Sequence, residues 1–193
     1  MRLWARLSGY LWRPLTAAED DTEFILRLRN SPQARAAFFT DRVTRDDHLR
    51  FLKRAEERDE INWIVERGGE RVGASGIFNF DWKNRRAMGR VAVAVPEVHL
   101  LNSVVSLYVV FEQLGLNKLY GEALASNTVS NLSLERLGGV KEGVLREHVF
   151  VGGEPQDVCC YSLLASEWRR LKPAILARFG TPEVTRHADE DVC

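Results

Sequence analysis

His48 is the first side chain in this sequence whose chemistry stands out. It sits one position ahead of Leu49 on a candidate helix, and an imidazole with an ordinary pKa of about 6.5 suits a base that takes a proton from an amine. The competing reading is an incidental surface histidine. His99, in a polar connection, is placed to meet a phosphate when protonated, whereas His148 alternates along a strand and His187 lies in a C-terminal tail. Arg29 and Asn30 close a candidate helix, and Arg29 has two uses open to it: pairing with an acid, or binding an anion such as a nucleotide diphosphate. Phe80, Trp82 and Arg85 share a polar loop. Aromatic rings beside a cation suit stacking on a base or sugar, and equally suit covering a sheet edge. Cys159 and Cys160 are adjacent on a strand, so one faces in and one out, and no histidine neighbour is indicated that would make either a nucleophile.

The elements that must carry these residues follow from pattern. The chain has 193 residues, 45% hydrophobic and 28% charged, with 27 basic and 27 acidic side chains. Those proportions predict a single globular domain and argue against disorder, a fibrous repeat or a dedicated nucleic-acid binder. With Cys193, the three cysteines make neither a disulfide framework nor a zinc motif, so no metal is expected and a reducing cytoplasm fits best. No apolar run is long enough to span a bilayer.

Residues 1–9 read as a lead-in; Trp4 and Leu7 in it could alternatively touch a membrane surface. A strand at 10–16 is closed by Pro14, and Phe24, Ile25 and Leu28 mark one face of a helix at 20–30. A short helical piece follows at 33–38. Thr44, with Asp47 three residues on, is a capping-box start for the next helix. The period then changes to two: strands at 61–66 and 71–78 flank Gly68-Gly69, and a third runs over 88–95 to Pro96. Asn102 or Ser103 is the expected cap of a helix reaching Leu114, apolar nearly all round and therefore buried. A strand at 118–125, a helix at 127–137 begun by Asn127, a long hairpin over 140–164 and a closing helix with Pro173 complete the domain over 10–168 and its appendix at 169–180. Residues 181–193 read as a disordered tail. Antiparallel runs with crossing helices predict an α/β (α+β) mixed sheet.

The order and spacing of several segments resemble the GNAT-superfamily acetyltransferases over residues 11–168. The best local match is Leu116-Asn117-Lys118-Leu119-Tyr120-Gly121-Glu122 through Asn127, then Ser130, then Leu134-Glu135-Arg136-Leu137-Gly138-Gly139. Leu28-Arg29-Asn30-Ser31-Pro32, then Thr44, His48, Phe51 and Leu52, then Phe78-Asn79-Phe80-Asp81-Trp82, are similar to the nucleotide-linked amino-sugar N-acetyltransferases of the pseudaminic-acid pathway. The ending Tyr161-Ser162-Leu163-Leu164 with Glu167-Trp168 is similar to enzymes that acetylate ribosomal-protein N-termini.

The resemblance implies a mostly antiparallel twisted sheet with a splayed strand pair, helices on both faces, and acetyl-CoA as co-substrate. It implies His48 and Ser130 as catalytic residues, with Ser130 near the CoA sulfur. Val93, Val95, Leu100, Leu101, Asn102, Ser103, Asn127 and Asn131 would hold the cofactor, and Arg29, Asn30, Asn79, Trp82 and Arg85 the acceptor. The implied acceptor is a small-molecule amino-sugar nucleotide, with a protein N-terminus as the alternative; a homodimer is compatible. The chain departs from the family pattern at two places. The segment Val95-Pro96-Glu97-Val98-His99-Leu100-Leu101-Asn102-Ser103 has no glycine or arginine where the family binds pyrophosphate on a glycine-bearing loop. Leu134 stands where many members carry a tyrosine acid. These departures open a third reading, a GNAT-like binding module without catalysis.

Overall fold

A computed structural model of the chain describes residues 1–32, 34, 42–93 and 96–186. Within them the elements run β1 (Leu3–Leu7), β2 (Tyr10–Pro14), α1 (Glu19–Arg29), α2 (Arg45–Glu57), β3 (Ile61–Arg67), β4 (Glu70–Asp81), β5 (Arg86–Val93), α3 (Pro96–Tyr108), β6 (Lys118–Leu124), α4 (Thr128–Arg136), β7 (Val140–Val151), β8 (Glu154–Leu164), α5 (Ala165–Phe179) and β9 (Glu183–Arg186). The strands form one nine-stranded sheet in the order β7-β8-β6-β5-β4-β3-β2-β1-β9. All pairings are antiparallel except β5 with β6.

Alternation along the strands divides the core between the two faces of the sheet. Trp12, Ile61, Trp63, Ile77 and Ala87 pack with Val104 and Val105 of α3 and Trp168 and Ile175 of α5. On the opposite face Ile64 and Ala74 meet Phe24, Ile25 and Leu28 of α1. A buried ionic cluster ties the start of α1 to the sheet. The Asp21 carboxylate accepts from Arg13 at 2.7 and 2.8 Å, from Arg71 at 3.0 Å and from the Thr16 hydroxyl at 2.9 Å. Burial alone would raise the Asp21 carboxyl, but these donors outweigh it and hold the group well below the usual carboxylate range. The capping box at Thr44 forms as expected: its hydroxyl accepts from the Asp47 N–H at 3.2 Å, and its own N–H donates to the Asp47 carboxylate at 3.0 Å.

The sequence expectations need three corrections. Residues 3–7, expected as a lead-in, are a strand with Leu3, Ala5 and Leu7 buried, and residues 183–186, expected as tail, pair with it as β9. Charged Arg2 and Arg6 and the polar content of 181–186 masked a two-residue alternation too short to stand out. The buried helix starts at Pro96, not at Asn102 or Ser103. Proline is pre-organised for the first helical position and gives up an N–H that would be unpaired there anyway, so the residue that stops the strand also begins the helix. This helix ends in a π turn, Val109–Gln113, where the Leu114 N–H reaches the Val109 carbonyl at 3.0 Å. Of the helical piece at 33–38 only Ala34 is among the described residues, and the tail residues His187 and Cys193 lie outside them.

Candidate active site

The sheet forks between β5 and β6. The two parallel strands pair only through Arg86 with Lys118, Ala87 with Leu119 and Met88 with Tyr120. Beyond this point β5 stays with β4 up to Val93, and β6 stays with β8 up to Leu124. Gly89 and Gly121 stand at the fork, and a Cβ on Gly121 would come within 3.6 Å of the Gly89 carbonyl. A cavity of about 940 Å³ occupies the fork and is lined from both faces of the sheet. On one face it is lined by His99, Asn102, Ser103 and Ser106 of α3 and by Asn127, Ser130 and Leu134 around α4. On the other it is lined by Phe24, Arg27 and Arg29 of α1, Phe78 of β4, Met88 and Arg90 of β5, and Tyr120 and Glu122 of β6.

Helix starts bring the polar groups together. The Asn127 side chain accepts from the Ser130 N–H at 3.1 Å and so caps α4, which fixes Ser130 in its first turn. His99 lies in the first turn of α3. Its Nε2 is 3.4 Å from the Ser130 Oγ, while its Nδ1 is buried with no hydrogen-bond partner among the described residues. Burial lowers the pKa of His99, so the ring is neutral at neutral pH. Tyr161 also lines the cavity, but its hydroxyl donates to Glu135 at 2.9 Å. Burial, then that contact, raises its pKa.

Of the candidate catalytic pair, the structure brings only Ser130 to the cavity. His48 is buried against Phe51, with ring centroids 6.3 Å apart, and is not among the cavity-lining residues. Burial first, and then the nearby cations Arg29 and Arg45, depress its pKa. Leu100, Leu101, Asn102 and Ser103 are the residues that the resemblance implied would hold the cofactor, as backbone N–H donors. They lie inside α3, where the helix takes those groups, and the unpaired amides belong to the first turn. Leu100 and Leu101 pack against the main core, and the Asn102 Oδ1 accepts from the Trp12 indole at 2.9 Å. The Ser103 hydroxyl donates to the His99 carbonyl at 3.1 Å. Asn131 lies off the cavity and pins the loop before α4, donating to the carbonyls of Leu124 at 3.0 Å and Asn127 at 2.8 Å. Val93 ends β5 opposite Gly73; its side chain, that of Glu97, and Val95 lie outside the described residues.

The acceptor candidates separate in the same way. Arg29 lines the cavity. Asn30 exchanges two hydrogen bonds with the Val43 backbone, at 2.9 and 2.8 Å, and ties the end of α1 to the approach to α2. Asn79 is an exposed residue with φ of 51°. Trp82 is exposed and stacked on Phe80 at 5.2 Å, and Phe80 packs on the core, which is the sheet-covering role. Arg85 donates to the Gly115 carbonyl at 2.6 Å, while its own carbonyl receives the Asn117 N–H at 2.6 Å, so it locks the closed end of the fork. Sequence reasoning missed Arg90 and Glu122. The available signal was an arginine and a glutamate each recurring every second residue with Met88 and Tyr120, on strands that otherwise alternate apolar and small residues.

An open mixed sheet with one forked parallel pair and helices on both faces is the architecture of the GNAT acetyltransferases, and comparison with solved structures agrees. The chain is similar to a GCN5-related N-acetyltransferase from Brucella melitensis, with a TM-score of 0.74 and 22% identity over 90% of this chain and 84% of that one. It is also similar to the spermidine N-acetyltransferase of Vibrio cholerae in complex with CoA and spermine, with a TM-score of 0.75 and 23% identity over 84% of this chain and 99% of that one. At such identities the likeness establishes the fold. No protein-family model matches the chain. Among curated proteins it is 30% identical over 117 residues to the uncharacterized N-acetyltransferase YoaA of Bacillus subtilis, covering 56% of this chain and 65% of that protein. It is 40% identical over 58 residues to YdaF of the same organism, named as a candidate ribosomal N-acetyltransferase, of which it spans 32%.

Proposed function

We propose that the protein transfers an acetyl group from acetyl-CoA to an amine, and that the forked strand pair carries this reading. Past Met88 and Tyr120, β5 and β6 no longer satisfy each other's backbone groups across the gap, and this bare edge borders the cavity. An extended chain containing amides, such as the pantetheine arm of CoA, is a chemical match for an unpaired strand edge. His99 of the first turn of α3 lines the cavity, so the unpaired N–H groups of that turn and the positive end of the helix dipole favour negative charge there. Because α3 starts at Pro96, only two residues separate strand from helix. The absence of glycine there therefore removes less than the sequence suggested, and a non-catalytic module is the weaker reading.

In the reaction the amine nitrogen attacks the thioester carbonyl, the C–N bond forms and the C–S bond breaks. The amine loses a proton and the departing thiolate gains one. Ser130 supplies a hydroxyl to the side of the cavity that would receive the sulfur, with neutral His99 beside it to accept or return a proton. His99 therefore takes the place that the sequence suggested for His48, and Leu134, in the family's tyrosine position, lines the cavity without a proton to give. The acceptor favoured by the resemblance is a nucleotide-linked amino sugar. A protein N-terminus is the second reading, supported by the 58-residue match to YdaF. A cytoplasmic location and a homodimer accompany these readings.

The test is release of free CoA from acetyl-CoA in the presence of an amino-sugar nucleotide, an N-terminal peptide or spermidine, each offered separately. Turnover with the first supports the proposal in full, and turnover with the peptide alone selects the second reading. No turnover with any amine, together with no thermal shift by acetyl-CoA, refutes acyl transfer. With an active acceptor, His99→Ala is expected to lower kcat by about 10²-fold or more, the usual contribution of a positioned acid or base. An unchanged kcat removes His99 from the mechanism.

A further inference from the structure

The α1 face of the cavity has a charge pattern that the chemistry of acyl transfer does not require. Among the described residues three arginines line the cavity, Arg27, Arg29 and Arg90, against one carboxylate residue, Glu122. Arg90 is the informative one. It projects from β5 with Phe78 at 4.4 Å and Phe51 at 5.3 Å from its guanidinium carbon to the ring centroids. It makes no hydrogen bond or ion pair among the described residues. Burial first, and then the neighbouring Arg29 cation, lower its pKa, while Glu60 opposes the shift from beyond hydrogen-bonding range. Aromatic faces attract a cation but cannot accept its in-plane N–H groups, which is the geometry that planar recognition of a carboxylate or phosphate uses. A guanidinium held out of water with no hydrogen-bond partner, as Arg90 is among the described residues, is costly unless an anion joins it.

We propose that Arg90, with Arg27 and Arg29, forms an anion seat at the acceptor end of the cavity, and that the acceptor is an amine carrying a carboxylate or a phosphate. This rests on the acyl-transfer reading for the word acceptor, but the anion seat itself does not. Glu122, on the same face of the sheet and the lone carboxylate among the described lining residues, suits the ammonium end of such a zwitterionic molecule. A polyamine, which offers several cations and no anion, is rejected by the same charges.

The experiment is calorimetric binding to the full chain without acetyl-CoA, using matched probes: glucosamine 6-phosphate against glucosamine, β-alanine against its amide, and spermidine. The anionic member of at least one pair is expected to bind tenfold or more tighter than its neutral partner, with the phosphate and carboxylate arms showing which anion is preferred. Inorganic phosphate should compete with it. Arg90→Gln should abolish the preference, and Arg90→Lys, which keeps the charge but loses the planar fork, should restore part of it. Equal binding within both pairs, preferential binding of spermidine, or binding of none of the probes by the wild-type protein would each overturn the seat, and none of these readings depends on a variant folding. Binding of the anionic probe, with no turnover of any amine and no thermal shift by acetyl-CoA, leaves the seat standing and removes the transferase reading. Equal transfer to charged and neutral amines does the reverse.

Discussion

At the scale of single residues, the two buried histidines have different neighbourhoods and a common consequence. His48 faces Phe51 with Arg29 and Arg45 nearby and Asp21 opposing them, whereas His99 faces Ser130 and the cavity. Both have folded pKa values below the unfolded value of about 6.5. The unfolded chain therefore binds more protons in that window. Their contribution to stability is full above about pH 6.5 and is lost as pH falls below it, with a slope of up to about 1.4 kcal/mol per pH unit for each group. Urea midpoints measured between pH 7.5 and 5 should fall, and His48→Gln should flatten the fall without abolishing it. A flat wild-type profile would contradict the burial of both rings. Residue types had nominated His48 and His99, and the family resemblance Ser130, but neither could say which histidine meets the serine. That pairing depends on where α3 begins, and Pro96 can be read as the end of a strand or the start of a helix.

At the scale of elements, β1 shows how local patterning conceals a structural part. Leu3 is fully buried, and its carbonyl accepts from the Trp63 indole N–H at 2.7 Å, so the strand covers one of the largest core side chains. Leu3→Ala is expected to cost about 2–5 kcal/mol in urea unfolding, the range for truncating a buried leucine. Turnover below the melting temperature should be unaltered, because β1 lies four strands from the fork. A loss under about 1 kcal/mol would return the segment to the peripheral role its composition suggested. The hairpin at Gly68-Gly69 and the capping boundary at Thr44 were legible because turn chemistry and capping act within four residues. β9 was not, because its partners on β1 lie about 180 residues away, and β1, although it forms a tight hairpin with β2, has only five residues with which to show an alternation.

At the scale of the whole molecule, the sequence carried the class of fold through the order of its elements, and it carried the fork through the similarity of residues 116–139. It did not carry the composition of the cavity, since Phe24, Arg29, Phe78, Arg90, His99 and Ser130 meet only after α1, β4, β5, α3 and α4 converge. Trp82 and Arg85 illustrate the same limit. They are near Phe78 in sequence, yet they belong to the closed end of the fork, where Arg85 fastens the β4–β5 turn to the approach to β6.

The three rungs joining β5 to β6 also bear on motion. A continuous sheet moves as one plate, but here the six strands from β5 to β9 by way of β1 and the three strands β6, β8 and β7 are two plates joined along a short seam. Their relative breathing is restrained at the seam and by the helices lying across it, and is free at the far end of the fork. A chain lodged in the gap would act as a splint, bonding to both edges at once. Amide hydrogen exchange should therefore slow on saturation with acetyl-CoA along Gly121 to Leu124 and the facing stretch of β5, while the Arg86–Met88 rungs, already protected, should change little. Slowing confined to α3 would show that the ligand rests on the helix alone and leaves the two plates uncoupled.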